Sequence, residues 1–239
     1  MNLTPNRTAP VRVMIVDDDA MVRAAVKIYS ESAKTVGEDG QPRSVNQVVA
    51  EAPDGIEAVR LAVELKPDVV LIDLRMPNMD GVTAIRQMRE RGVKAGIIAM
   101  TSFDTHDAIL DSVDAGADGF LAKDTSPAAM ITAVASAAEG SGWFSPRAAK
   151  IIAEQTRSGG TRTPSSEERR LVDTLTSQEL ATTKLLASGL TNAEIAQELH
   201  VGESTIKTYV SNAMSKTHMN NRVKLAVFAS RAGLEIPVS

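Results

Sequence analysis

Four apolar residues, Val69 to Ile72, run without interruption into Asp73, and the loop L-R-M-P-N-M-D-G, Leu74 to Gly81, follows at once. An apolar run of this kind reads as a strand buried on both faces, the position of a central strand in a parallel sheet. Asp73 then stands at the carboxyl end of that strand, the edge where open α/β sheets place their chemistry. Pro77 and Gly81 punctuate the loop, and a helical pattern takes over at about Val82–Arg91.

The same alternation extends in both directions. Val11–Val16 predicts a strand ending at Asp17-Asp18-Asp19, followed by a helix from Ala20 to about Ser32 with Val22, Val26 and Tyr29 near one stripe. Glu38–Ser44 is polar and holds Gly and Pro, which predicts a surface loop. Val45–Ala50 reads as a strand and Gly55–Leu65 as a helix. Ile97–Met100 is a fourth strand ending at Thr101, with a helix over about Thr105–Ala115. Gly119–Ala122 is a fifth strand ending at Lys123. Ser126-Pro127 opens a fifth helix, with Pro at an early position where its missing N–H costs nothing. Five βα units in succession predict an α/β fold, a doubly wound five-stranded parallel sheet.

Parallel strands share a direction, so Asp17, Asp18, Asp73, Thr101 and Lys123 converge at one edge of this sheet. A solvated acidic turn would account for Asp17–Asp19 alone, but not for a hydroxyl and a cation at the other strand ends. Three carboxylates within about 4–5 Å repel by several kcal/mol at an effective dielectric near 20. A hard divalent cation on oxygen ligands relieves this, and Mg²⁺ with several retained waters fits such an open site.

The chain of 239 residues predicts two domains. With aromatics at 3%, the cores must be aliphatic. Cysteine is absent, which excludes disulfides, thiolate zinc sites and cysteine nucleophiles. The start, M-N-L-T-P-N-R-T-A-P, has no apolar signal core, and nowhere do 18 apolar residues run together, so a cytoplasmic protein without membrane association is expected. The net charge of -4 is unevenly spread: residues 1–150 hold 16 Lys and Arg against 21 Asp and Glu, and residues 174–239 hold 6 against 5. The last stretch is the least acidic, and its function has to be read from pattern.

After the fifth helix, G-S-G-W-F-S-P-R suggests a turn and a short helix starting near Ser145, with Trp143 as a packing residue. Thr156–Glu168 is a flexible linker by composition. From Leu175 the pattern is helical. Thr176…Glu179 and Thr191…Glu194 are both T-x-x-E capping boxes, marking two helix starts. Leu180, Leu185 and Leu186 can supply an apolar stripe on the first helix, and Ile195, Ala196 and Leu199 the core face of the second. Val201-Gly202 makes a tight turn into a third helix over about Glu203–Thr217, with Ile206, Val210 and Met214 in register, and a fourth runs over about Arg222–Ala232. Two short helices joined by a tight turn are helix-turn-helix geometry, although a plain helical bundle has the same periodicity.

Asp17-Asp18, D-L-R-M-P-N-M-D-G, Thr101 and Lys123 resemble the receiver domain of bacterial two-component response regulators, a flavodoxin-like fold, over about residues 10–140. The resemblance implies that Asp73 accepts a phosphoryl group from a sensor histidine kinase as a mixed anhydride. It implies Mg²⁺ on Asp18, Asp73 and the Arg75 backbone carbonyl, with Asp17 acting through a bound water. Thr101 would hydrogen-bond one phosphoryl oxygen and Lys123 neutralise another, and Thr101 with Phe120 would form the switch pair. Asp19 is expected to point outward. Asp124 stands where many receivers have Pro.

L-T-S-Q-E…G-L-T-N-A-E-I-A-Q-E-L-H-V-G-E-S-T-I-K-T-Y-V…N-R-V-K-L-A resembles the LuxR-type helix-turn-helix domain of the NarL/FixJ subfamily over about residues 174–235. That implies Lys207, Thr208 and Ser211 on base edges, with Thr205, Lys216 and Arg222 on phosphates. Gly202 stands where Ser is common and Tyr209 where His is common. The expected organisation is a receiver at 1–140, a linker helix and flexible linker at 141–173, and an all-α DNA-binding domain at 174–239. The implied function is promoter binding controlled by phosphorylation at Asp73 and a homodimer formed on phosphorylation. Two other readings fit parts of the pattern. Asp17-x-Asp19 also resembles the nucleophile motif of haloacid-dehalogenase phosphatases, which leaves Asp73 and the C-terminal helices unexplained, and the C-terminal helices could instead form a protein-interaction module.

Overall fold

The computed structural model describes residues 9–36, 42–102, 105–145, 148, 151–152 and 165–234. They fall into two compact units divided after Ala148.

The first unit is built on strands β1 (Val11–Val16), β4 (Asn46–Ala52), β5 (Val69–Asp73), β6 (Gly96–Thr101), β7 (Gly119–Ala122) and β8 (Trp143–Phe144). They form one sheet in the order β4-β1-β5-β6-β7-β8, every pair parallel. Helices α1 (Ala20–Ser32), α2 (Gly55–Leu65), α3 (Gly81–Glu90), α4 (His106–Ala115) and α5 (Pro127–Ala138) supply the crossovers. α1 packs on α5, while α2 packs on α3 and α3 on α4, so both faces are covered. Val13, Ile15, Val69, Leu71, Ile98 and Met100 meet Val26, Met130, Ala133 and Val134 on one side. Met14, Val16, Val70, Ile72 and Ile97 alternate with them and face the other side, all fully buried. This is why the β5 sequence shows no polar alternation.

Each crossover helix starts with a side-chain cap at the carboxyl edge of the sheet: Asp19, Asp54, Asp80, Thr105 and Ser126 accept from backbone N–H groups of the first turn. Asp19 therefore caps α1, receiving the Met21 N–H at 2.7 Å, rather than standing idle beside the acidic pair. α1 buries Val26 and Ser30, and Tyr29 is 42% exposed, so the expected third member of the stripe is rotated off it.

Two elements depart from the sequence pattern. β2 (Lys34–Val36) and β3 (Pro42–Ser44) pair antiparallel where a polar loop was expected; the residues between them lie outside the described ones. β8 adds a sixth strand beyond the five, with Gly119 opposite Trp143. It is too short for any periodicity to show. Trp143 packs against the α1–α5 side of the core, as expected of it. Beyond it Ser145 Oγ accepts from Ala148 N at 3.2 Å, and Ala148, Ile151 and Ile152 are helical, in line with a helix starting near Ser145.

The second unit holds α6 (Ser166–Val172), α7 (Ser177–Ala187), α8 (Asn192–Glu198), α9 (Glu203–Thr217) and α10 (Arg222–Arg231). Both T-x-x-E boxes form in full. A third box, Ser165…Glu168, opens α6 inside the stretch expected to be flexible; the remainder of that stretch lies outside the described residues. Leu171 and Val172 of α6 pack on the core made by Leu186, Ile195, Ile206, Val210, Leu225 and Phe228. α7 buries Glu179, Thr182, Thr183 and Leu186; of the expected stripe Leu186 is in the core and Leu185, half-buried, packs against it, while Leu180 is only half-buried. A polar inner face of this kind has no hydropathy signature.

Two glycines should respond oppositely to a side chain. At Gly81 a Cβ would stand 2.1 Å from the Asp73 carbonyl oxygen, so Gly81→Ala should lower the stability of the first unit by about 1–3 kcal/mol. Gly202 caps α9 in an extended conformation without a side-chain hydrogen bond, and its Cβ direction meets nothing closer than 3.7 Å. Gly202→Ser should therefore raise the stability of the second unit by a few tenths of a kcal/mol. Denaturant unfolding followed by the single tryptophan, Trp143, and by helical circular dichroism separates the two effects.

Candidate functional site

The carboxyl ends of β1, β5, β6 and β7 bring the expected set together. Asp17 follows β1 and is wholly buried, Asp73 ends β5 and is 5% exposed, and Asp18 is exposed. One oxygen of each lies within 4.8 Å of the others. Lys123, after β7, places Nζ 2.6 Å from Asp17 Oδ2 and 2.8 Å from Asp73 Oδ2. Burial works against the ammonium's charge, but hydrogen bonds and Coulombic attraction from Asp17 and Asp73 outweigh it and hold the Lys123 pKa above the ordinary lysine value. Thr101 is buried at the end of β6, and its carbonyl accepts the Lys123 N–H at 2.9 Å. Phe120 is fully buried on β7. Arg75 and Asp18 line a depression of about 700 Å³ beside the carboxylates.

Three carboxylates against one ammonium leave an excess of negative charge, and the donor set is all oxygen with its exposed side at Asp18. That composition fits a hard divalent cation that keeps several waters.

Some contributors carried no sequence signal. Arg23, one turn into α1, donates from Nη1 to the Asp17 and Asp18 carbonyl oxygens at 2.7 and 3.3 Å, and lies 3.7 Å from Glu51. An arginine on the first turn of an amphipathic helix reads as solvated until the backbone it holds is seen.

In the second unit α8 and α9 meet through the turn Leu199–Gly202, with His200 at φ +53°. The exposed side of α9 carries Lys207, Thr208 and Ser211, as expected, and also Ser204, Asn212 and Ser215. Thr205 is half-buried. Lys216 and Arg222, expected on phosphates, have partners inside the unit. Lys216 Nζ lies 2.6 Å from Glu179 Oε2, and the same oxygen accepts the Thr176 N–H at 2.8 Å. Arg222 is 9% exposed, and its guanidinium donates to Asn192 Oδ1 and the Leu190 carbonyl, both at 2.5 Å. These two cations tie the ends of α9 and α10 to α7 and α8.

The response regulator receiver model matches residues 13–135, and the model for bacterial regulatory proteins of the luxR family matches residues 173–229. The chain belongs to the NarL/LuxR-type response regulators. It is 35% identical over 222 residues to the transcriptional regulatory protein LiaR of Bacillus subtilis (strain 168), covering 92% of this chain and 97% of that protein. It is 36% identical over 218 residues to the nitrate/nitrite response regulator protein NarP of Escherichia coli (strain K12), covering 91% and 94%. Among solved structures, a LuxR-family two-component response regulator from Aurantimonas sp. SI85-9A1 matches with TM-score 0.54 and 33% identity, over 62% of this chain and 98% of that one. A receiver joined to a luxR-family DNA-binding domain makes this response regulator a regulator of transcription. Among the described residues no helix is long and apolar enough to cross a membrane.

The Glu179–Lys216 tie sets an acid limit on the second unit. Burial raises the Glu179 pKa, but the hydrogen bonds from Lys216 and Thr176 outweigh it and hold the carboxyl below its ordinary value. A lowered folded-state pKa contributes stability above the unfolded value, about 4.3, and that contribution is lost as pH falls through the folded value. Thermal melts of the second unit between neutral pH and about pH 3 should therefore show a loss that Glu179→Gln flattens. Lys216→Met should cost about 1–3 kcal/mol at neutral pH by leaving the carboxylate without its cation.

Proposed function

We propose that this response regulator accepts a phosphoryl group on Asp73 from a sensor histidine kinase and binds promoter DNA as a homodimer once phosphorylated. Receiver function lies within about residues 1–140 and DNA binding within 174–239. The observation that carries the reading is the Lys123 ammonium set between Asp17 and Asp73, with Asp18 on the open side.

Transfer needs positioning and charge neutralisation more than covalent assistance from other groups. An Asp73 oxygen attacks the phosphorus of a phosphohistidine. The P–O bond forms, the P–N bond breaks, and its electron pair returns to the imidazole. Lys123 moves its hydrogen bonding from Asp73 toward a phosphoryl oxygen, and Thr101 donates its hydroxyl to another. Asp18, Asp73 and the Arg75 carbonyl, with Asp17 through a water, would hold Mg²⁺, which supplies the remaining neutralisation of the phosphoryl oxygens. Arg23 fixes the backbone of Asp17 and Asp18 and so the direction of both carboxylates.

Phosphorylation adds about -1.5 to -2 charges at Asp73. Attraction of Thr101 and Lys123 to that charge draws the end of β6 inward and lets Phe120 repack, changing the surface around α5. The dimer then forms through α1 and α5, which pack side by side. The exposure of Met21 (81%) and Ile28 (67%) on α1 supports that choice of face. Lys207, Thr208 and Ser211 read base edges and Thr205 meets a phosphate. Lys216 acts chiefly by holding α9 on α7, and Arg222 by holding α10 on α8. One module with a single exposed cation on its reading face binds weakly, and a dimer on a two-fold operator gains by making the second contact intramolecular.

Incubation with acetyl phosphate and Mg²⁺ should label the wild type, and Asp73→Asn should abolish the label; wild-type labelling of Asp73→Asn would overturn the assignment. Sedimentation should show a monomer that dimerises on phosphorylation, with DNA affinity rising in step. An unchanged monomer that gains DNA affinity would replace dimerisation with unmasking of α9. Lys207→Ala should cost about 1–3 kcal/mol at a preferred site and relax sequence discrimination, read by competition binding.

A further inference from the structure

The loop from Leu74 to Asp80 joins β5 to α3 and carries Arg75. Its ends are held by strand β5 and by Asp80, which caps α3 through the Thr83 N–H at 2.7 Å. Its middle is held from outside. Asn78 sits at φ +63°, and its Nδ2 donates to Asp54 Oδ2 at 2.9 Å. Asp54 Oδ1 accepts the Glu57 N–H at 2.9 Å, so the one carboxylate caps α2 and grips the loop together. One residue on, the Gly55 N–H donates to the Met79 carbonyl at 3.1 Å. A Cβ at Gly55 would stand 2.7 Å from that same carbonyl oxygen, so the two backbones approach as closely as only glycine allows.

None of these contacts involves Asp17, Asp18 or Asp73, and nothing in the phosphoryl chemistry above uses them. Their effect falls on the backbone between Asp73 and Gly81, where the Gly81 N–H donates to the Leu74 carbonyl at 3.0 Å. A carbonyl ligand has no rotamer of its own, and its direction is set wholly by the peptide path. Asn78 holds a left-handed conformation, which asparagine adopts more readily than other non-glycine residues, and the contact with Asp54 fixes its side chain there.

We infer that Asp54 and Asn78 form a positioning strap, which holds the β5–α3 loop in the path that aims the Arg75 carbonyl at the cation site and so sets cation affinity without touching the cation. The inference rests on the phosphoacceptor reading of Asp17, Asp18 and Asp73. It extends that reading to two residues that would otherwise be a helix cap and a turn.

Two variants separate the strap from its local duties. Asp54→Ser keeps a cap for α2 but is too short to reach Asn78. Asn78→Gly keeps the left-handed backbone but removes the amide. Hydrogen exchange of the full-length protein without metal should quicken at residues 74–80 in both variants and stay unchanged in α4 and α5. Mg²⁺ titration by calorimetry should weaken by about tenfold in both, the lower end of what outer-sphere partners of a metal contribute. Asp54→Asn keeps the α2 cap through its Oδ1 and can donate its Nδ2 to Asn78 Oδ1 once the Asn78 amide flips, so it should recover most of the affinity. Wild-type Mg²⁺ affinity in Asp54→Ser and Asn78→Gly, with unchanged exchange at 74–80, would overturn the strap. Failure of the wild type itself to bind Mg²⁺ would overturn the site reading and the strap with it.

Discussion

The first unit is organised by one electrostatic imbalance. Burying Asp17 beside Asp73 costs several kcal/mol of lost hydration per ion. The two Lys123 contacts offset part of that cost, while the mutual repulsion of the two carboxylates and the burial of the ammonium add to it. The three groups together are therefore not a source of stability. The ammonium is shared between two carboxylates and can shift toward a new anion without a large change in total energy, and the uncompensated negative charge leaves room for a cation. Every crossover helix begins at this edge with its N–H groups capped by a side chain, so the partial positive charges of five helix ends lie on the same side as the carboxylates.

The supports of the pocket are spread over the sheet edge. Arg23 holds the β1–α1 loop through carbonyl oxygens, Asp54 and Gly55 hold the β5–α3 loop, and the Thr101 carbonyl ties the end of β6 to Lys123. None of them acts directly on the reacting side chains. The transfer proposed for Asp73 asks for little covalent machinery, so the directions of the carboxylates and carbonyls are the chief thing the fold would contribute to it.

The second unit solves a different problem. Its reading helix is nearly neutral, and its interior is held by polar ties: Glu179 to Lys216, and Arg222 to Asn192 and Leu190. Two of its cations are used inside the unit, Lys216 to hold α9 on α7 and Arg222 to hold α10 on α8.

Sequence alone determined the five βα units, the convergence of Asp17, Asp18, Asp73, Thr101 and Lys123, and two of the three capping boxes. Each of these is written in local pattern: apolar runs that end at a polar residue, or T-x-x-E spacing. The third box, Ser165…Glu168, has the same spacing and was hidden by a composition typical of linkers. Tertiary structure alone decided the rest. β8 is two residues long and exists because Gly119 lets the Trp143 backbone approach β7. Glu179 is buried because Lys216 arrives from 37 residues away, and Arg222 because Asn192 and Leu190 do from 30 and 32. A charged residue reads as solvent-facing in sequence, and only the fold supplies the distant partner that makes its burial affordable.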